Sequence, residues 1–216
     1  MTNNPINPSD QIFQLPDPIL TSKVSVEEAL QNRRSVREYK TDALSLNQVS
    51  QLLWAAYGIN EPRSNPSFLR GGLKTAPSAG ALFPLDIYLV CGNVDGLPAG
   101  IYKYISENHN LKLVSEGDVR KDLGKAALEQ GFIEVAPISL VYVAIFKRTT
   151  QKYGERGRER YVCMDLGHSA QNVYLQAYAL NLGTCAVGAF TDKMVSMVML
   201  LTDKEEPLYI MPVGKY

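Results

Sequence analysis

Arg33, Arg34 and Arg37 set three guanidiniums, with the Ser35 hydroxyl among them, in the five-residue run Arg33-Arg34-Ser35-Val36-Arg37. Guanidiniums stay charged at any physiological pH and donate in a planar, bidentate fashion, which suits a phosphate or another anion. Arginines at the end of a helix also complement its macrodipole and stay solvated, and the run taken alone favours that plainer reading. A second constellation is TAPSAGALFP, Thr75 to Pro84. Its small residues let a backbone approach a flat ligand, and Ser78 with the amides around Gly80 can donate; alone, it reads better as a loop-to-strand turn. A third is Gly183 to Phe190, where Ala186, Val187 and Gly188 can wall an apolar ring, or simply close a helix and pack tightly. Cys185 has no histidine predictably near it and reads as a small buried hydrophobe. Asp165 and His168, three apart on one helical face, can pair, and a satisfied core histidine is the better reading there than a catalytic dyad.

These residues need elements to hold them. Ser25-Val26-Glu27-Glu28 and Ser45-Leu46-Asn47-Gln48 are capping-box patterns that predict helices to about Arg33 and to Gly58. Residues 60–76 are polar and rich in Gly and Pro, so a loop is expected. Asp86 to Cys91 reads as a buried strand, and 101–105 with 111–115 as a hairpin. Asp118 is placed to cap a helix. Ile138 to Phe146 is apolar on both faces and predicts a central strand. The segment 147–160 is strongly basic, with Lys147, Arg148, Lys152, Arg156, Arg158 and Arg160. A helix follows from Cys163 to Leu182, apolar nearly all round, which places it in a core or between subunits, and Gly183 is expected to end it. Asp192 is placed to cap a short helix, and Leu208 to Val213 is a last strand. Residues 1–22, dense in Pro, Asn, Asp and Ser, predict an extended N-terminal arm, and 23–216 a single domain. The mixed order of helices and strands predicts an α+β or mixed α/β sheet.

The bulk numbers exclude several function classes. The chain has 216 residues, with Lys plus Arg and Asp plus Glu both at 22, so there is no overall pull toward nucleic acid or an anionic membrane. No apolar run approaches the roughly 18 residues needed to span a bilayer. The N-terminus lacks the pattern of a signal peptide. The three cysteines lack CxxC spacing, which predicts reduced thiols in the cytoplasm, and the two histidines give no metal site. There is no GxGxxG after a strand and no P-loop.

Taken together and in order, RRSVREY (33–39), LSLNQVSQLLWAAYGI (44–59), TAPSAGALFPLDIYLV (75–90), YGERGRERY (153–161), DLGHSAQNVYLQAYALNLGTCAVGAF (165–190) and YIMPVGK (209–215) resemble the nitroreductase-like superfamily of FMN enzymes, most of all its SagB-type branch, which includes azoline dehydrogenases. Several motifs in order reverse the plainer readings given to each alone. The resemblance implies an α+β nitroreductase-like fold with an antiparallel-rich sheet flanked by helices, as an intertwined homodimer with two FMN molecules at the interface. It implies Arg33, Arg34 and Ser35 toward the phosphate and ribityl chain and Arg37 toward the pyrimidine edge. It implies Pro77, Ser78, Ala79, Gly80, Ala81 and Leu82 from the partner chain, Ala186, Val187 and Gly188 along the isoalloxazine, and Lys215 as a basic phosphate contact. Arg37 near N1 and O2 would raise the flavin potential.

The implied activity is ping-pong: NAD(P)H gives hydride to flavin N5, and an organic acceptor takes it from the same face. Lys152 and Tyr153 resemble the Lys-Tyr pair of azoline dehydrogenases and are candidates for proton transfer; a solvated basic stretch accounts for them equally well. Many nitroreductases carry Asn and Glu where this chain has Ala81 and Gly188, which agrees with the SagB-type branch and argues against efficient nitro reduction. The long tail that wraps the partner in many relatives is missing after Lys215. The competing expectations are an azoline-type dehydrogenase acting on a peptide, and a flavin-binding protein used for storage.

Overall fold

The structure is a computed structural model that describes residues 11–216; residues 1–10 of the expected arm lie outside them. Eleven strands and seven α-helices alternate along these residues: β1 Ile12–Gln14, α1 Val26–Asn32, β2 Leu44–Ser45, α2 Leu46–Tyr57, β3 Ile59–Pro62, β4 Gly72–Lys74, β5 Leu85–Cys91, β6 Val94–Asp95, β7 Gly100–Ile105, β8 Asn110–Glu116, α3 Arg120–Ala126, α4 Gly131–Val135, β9 Ile138–Ala144, α5 Lys147–Arg156, α6 Val162–Ala179, β10 Gly183–Thr184, α7 Asp192–Val198 and β11 Glu206–Gly214. Seven strands form one sheet in the order β1-β8-β7-β5-β9-β11-β10, antiparallel at every joint. The fold is α+β, with helices on both sheet faces, as expected.

Two-residue alternation sorts the strands' side chains between those faces. Leu85, Ile87 and Leu89 of β5, with Leu140 and Tyr142 of β9, pack under α2 and α6. Tyr88, Val90, Val141 and Val143 point the other way, under α3, α4 and α7. β9 is buried at every position, so its run of Ile, Leu and Val is the signature of a strand covered on both sides.

Local chemistry sets several boundaries. Ser45 and Gln48 form a reciprocal capping box at α2, and Gly58 closes that helix. Ser25 accepts from the Glu28 amide at 3.1 Å to open α1. Asp118 caps α3 as expected in function, though one residue ahead of the assigned N-cap Val119: its carboxylate accepts from the Arg120 amide at 3.1 Å and also takes the Arg120 guanidinium at 2.7 Å. Thr191 is the N-cap of α7, so Asp192 lies inside the helix. Asn181, not Gly183, turns the chain out of α6 with φ of 56°; an Asn side chain tolerates the left-handed region, so no glycine is needed there. The expected loop at 60–76 contains the small hairpin β3–β4. The basic segment is helical except for a kink at Gly154, whose φ is 57°; beyond it the chain runs through a π-type turn, Gly157–Tyr161, directly into α6.

The described part of the arm binds its own chain. β1 pairs with β8, Leu15 is buried, and Gln51 brackets Ile19, accepting from its amide at 2.8 Å and donating to its carbonyl at 3.0 Å. α6 is not covered all round. Its buried stripe is Leu166, Ala170, Val173 and Ala177, while Leu175, Gln176 and Ala179 line an open groove of about 400 Å³ with Trp54 and Val26. No helix among the described residues is long and apolar enough to cross a membrane.

Candidate functional site

The arginine run begins where α1 stops, and it is laid against the border of the sheet. The Val36 amide donates to the Thr184 carbonyl at 3.0 Å, and the Lys40 amide to the Lys215 carbonyl at 2.8 Å. Tyr39 donates its hydroxyl to the Val36 carbonyl at 2.6 Å. The approach is so close that a methyl group on Gly183 would lie 2.7 Å from Val36 Cβ and 2.9 Å from a Tyr216 ring carbon, so only glycine fits beside the run. Here Gly183 serves packing between segments rather than helix termination.

Tyr174 of α6 ties this run to the Ala186–Gly188 loop. Its hydroxyl accepts from the Ala186 amide at 2.7 Å and lies 3.1 Å from Ser35 Oγ. The Arg33 guanidinium sits over the same ring, 5.2 Å from its centroid. Arg34, Ser35 and Arg37 are exposed, Arg33 is half-buried, and none of the three arginines has an ion-pair partner among the described residues. Arg34 reaches only the carbonyls of Gln31 and Arg33. Val187 is locked by reciprocal backbone bonds to Ile210 at 2.9 and 3.0 Å, leaving Ala186 half-buried and Gly188 exposed. Lys215 is paired to Asp42 at 3.3 Å. Cys185 is fully buried, and burial pushes its thiol pKa up, so it has no nucleophilic role.

The Pro77–Leu82 segment is anchored elsewhere on α6. Ser78 donates its hydroxyl to Asp165 at 2.5 Å and accepts from the Phe83 amide at 2.9 Å, while the Ala79 amide reaches Asp165 at 3.4 Å. Asp165 is buried, and burial raises its pKa against the pull of these donors. The turn Ala79–Ala81 needs a left-handed φ of 63° at Gly80. Gly80 faces Lys152 and Tyr153: a methyl there would lie 2.7 Å from Tyr153 Oη and 3.1 Å from Lys152 Nζ. Tyr153 in turn packs edge-on against Tyr161, with centroids 4.9 Å apart. Asp165 and His168 do not form a pair, because the carboxylate is taken by the loop and His168 Nδ1 lies 3.3 Å from the Pro77 carbonyl. His168 is exposed, contrary to the expectation of a core histidine; the other imidazole, His109, is half-buried.

The fold thus assembles two groups. One holds Arg33, Arg34, Ser35, Arg37 and the 186–188 loop around Tyr174. The other holds residues 77–82 with Lys152 and Tyr153. Their anchors, Asp165 and Tyr174, stand nine residues apart on α6, roughly 13 Å at about 1.5 Å per residue. Sequence reasoning counted Tyr174 only among the helix's apolar residues. Its signal was the polar tip of a half-buried Tyr, which seeks a partner.

Comparison with known proteins fits this layout. The Nitroreductase family matches residues 30–215. A protein of Methanocaldococcus jannaschii that bears a nitroreductase name is 46% identical over 203 residues, covering 94% of this chain and 96% of the relative. A solved structure from Ralstonia eutropha JMP134, likewise named as a nitroreductase, superposes with a TM-score of 0.80 at 31% identity, covering 97% of this chain and 91% of that one. The E. coli microcin synthetase complex McbBCD, solved with truncated pro-MccB17 bound, has a chain of the same fold, with a TM-score of 0.69 at 24% identity over 94% of this chain and 77% of that one. With its antiparallel sheet, its arginine run and its glycine-framed loops in this order, the chain belongs to the nitroreductase family of oxidoreductases.

Proposed function

We propose that the chain is an FMN-dependent oxidoreductase that works as a homodimer, with each FMN held between two protomers. One observation carries the reading: a run with three arginines that have no ion-pair partners among the described residues is joined to the 186–188 loop where Arg33 and Ser35 meet Tyr174. Uncompensated guanidiniums gathered at one place fit a phosphate, which needs several charge-assisted donors. In this reading Arg33, Arg34 and Ser35 hold the phosphate and ribityl chain, Arg37 faces the pyrimidine edge, and Ala186, Val187 and Gly188 line the ring. Lys215 adds to the phosphate site on exchanging its Asp42 partner.

The second protomer supplies Pro77, Ser78, Ala79, Gly80, Ala81 and Leu82. The separation of the two groups along α6 supports this division, because one chain's loop is anchored roughly 13 Å from its own Tyr174. The uncovered groove along Leu175, Gln176 and Ala179 supports a helical interface. When bound, FMN supplies two-electron redox chemistry that couples NAD(P)H oxidation to reduction of an organic acceptor in alternating half-reactions. The chain orients the cofactor, fixes charge at its edge, and keeps Lys152 and Tyr153 as proton-holding groups beside Gly80. All three cysteines are unpaired, which supports a reducing cytoplasmic setting.

The purified protein should be yellow, or turn yellow on adding FMN, and bleach with NADH or NADPH under anaerobic conditions. A colourless protein that takes up no FMN, or a monomer at micromolar concentration, overturns the proposal. Changing Lys152 and Tyr153 together with no loss of turnover and native flavin content removes their proton-transfer role. A second reading, dehydrogenation of azoline rings in a peptide, is favoured by Ala81 and Gly188 standing where many nitroreductases carry Asn and Glu. The shared fold with a chain of a peptide-bound microcin synthetase is compatible with it. Oxidation of a thiazoline peptide without NAD(P)H would select that reading.

A further inference from the structure

A second cavity, of about 360 Å³, has Tyr57, Arg70, Lys74, Leu85, Tyr104 and Arg148 in its wall, together with the carboxylates of Asp86 and Glu107. Four cations face it. Two of them are answered: Arg148 grips Asp86 through two bonds of 2.6 and 3.2 Å, and Lys103 bridges Asp86 at 2.7 Å and Glu205 at 3.1 Å. Two are not. Lys74 is only 6% exposed, yet no carboxylate stands within ion-pair distance of it among the described residues. Its ammonium donates to Ser106 Oγ at 2.5 Å and lies over the Tyr57 and Phe83 rings, 5.3 and 5.6 Å from their centroids. Arg70 spends part of its guanidinium on the carbonyls of Leu82 and Phe83. Tyr57 Oη is buried beside the same cavity and makes no hydrogen bond among the described residues. Glu107 is at the rim but exposed.

A buried charge without a counter-charge is costly, and a polar group buried without a partner adds to that cost. One buried cation, a half-buried guanidinium answered only by carbonyls, and one such hydroxyl on a single cavity describe a site that an anion would complete. Leu85 and Tyr104 offer apolar wall beside these donors, so the cavity is shaped for more than a bare ion. We propose that this cavity binds a small organic anion, its carboxylate or phosphate head held by Lys74, Arg70 and the Tyr57 hydroxyl. Because Arg70 also holds the Leu82 and Phe83 carbonyls, occupancy fixes the loop that ends there. The site shares no lining residue with the arginine run, so it stands whether or not that run holds a flavin.

The test uses the purified protein saturated with FMN, and the same protein as isolated. Benzoate and inorganic phosphate are the probes, with chloride at matched ionic strength as control, and the thermal midpoint is read. At a hundredfold excess over Kd the midpoint should rise by roughly 5–10 °C. The rise should vanish in Lys74→Met and persist in Arg33→Ala. A response no larger than chloride's, one that survives Lys74→Met, or one lost in Arg33→Ala overturns the proposal; the last would return the anion to the arginine run. Benzoate acting without phosphate specifies a carboxylate head, and the reverse a phosphate head. If Lys74→Met does not fold, the wild-type lysine NMR signals decide. Burial brings the Lys74 ammonium down to about 8, with Glu107 and Asp86 opposing and Arg70 and Arg148 adding to the shift. Benzoate should move that titration to higher pH, and an unmoved titration refutes the site.

Discussion

Tyr174→Phe removes a single oxygen and keeps the ring under Arg33, which makes it a clean test of how the arginine run and the 186–188 loop are held together. The oxygen accepts from the Ala186 amide at 2.7 Å and is hydrogen-bonded to Ser35 Oγ at 3.1 Å. Losing a typical hydrogen bond costs about 0.5–1.5 kcal/mol, and a donor left unsatisfied about 1–3 kcal/mol. Ala186 is half-buried, so water can partly replace the lost acceptor, and about 1–1.5 kcal/mol is the reasonable figure. Ser35 is exposed and adds little. For a chain of this size each kcal/mol corresponds to about 2–4 °C, so the melting midpoint should fall by roughly 2–6 °C. If the oxygen's work is to preorganise the two segments for FMN, the same energy weakens FMN binding about fivefold to tenfold. Fluorescence titration of FMN with flavin-free protein measures it, and a double-mutant cycle with Ser35→Ala separates the shared bond from the Ala186 bond. A variant that melts and binds FMN as wild type does would refute the reasoning.

Arg33→Ala should weaken FMN binding by at least tenfold and flatten its salt dependence, since a charge-assisted phosphate contact contributes about 1.5–3 kcal/mol; titrations at 50 and 300 mM salt check this. Asp86→Ala strands Arg148 and leaves Lys103 with Glu205 alone; breaking a fully buried pair costs about 3–5 kcal/mol, so for this partly buried one the melting drop should be at most roughly 6–20 °C. Burial alone would raise the Asp86 pKa, but the hydrogen bonds and charges of Arg148 and Lys103 outweigh it and hold the carboxyl below its ordinary 3.8. Its stabilisation is therefore present above that value and lost as pH falls through the depressed pKa, an acid limb that Asp86→Asn should remove. Burial likewise lowers the pKa of His109, whose Nε2 lies 2.7 Å from Ser50 Oγ and whose Nδ1 lies 2.8 Å from Tyr104 Oη. The fold favours the neutral ring, so stability is full above about 6.5 and declines as pH falls through the lowered value. His109→Gln should flatten that decline in melting curves taken from pH 7 to 5.

How much of this was legible in the sequence depended on whether a signal was local. The central strand at 138–144 was readable because two-sided burial leaves an uninterrupted apolar run, and α2 because Ser45 and Gln48 close a reciprocal box. Asp118 was a true local signal, since its carboxylate takes the amide that opens α3, whereas Asp192 misled by one residue: acids favour the first turn as well as the cap, and Thr191 holds the cap. Gly183 misled for a related reason: glycine marks both chain reversal and close approach, and only the packing of Val36 and Tyr216 against it distinguishes them. The motifs of the site stood out in order along the chain. Their distribution between two anchors on α6 did not, since it rests on Asp165 and Tyr174, each a long-range partner without a local pattern. The cluster around Lys74 drew no notice, because its members come from five separate stretches of sequence.

The arginine run lying alongside β10 has a mechanical corollary. Edge strands carry unpaired amides and carbonyls that invite another chain to dock, and here the backbone of Val36 occupies one such place on Thr184. Residues 33–40 therefore double as a selvedge for the cloth of the sheet. Peeling them away, by removing whatever their side chains grasp or by inserting a proline at Val36, would leave that hem raw. The first sign of the loss would be clumping on gentle warming, ahead of any unravelling of the weave itself.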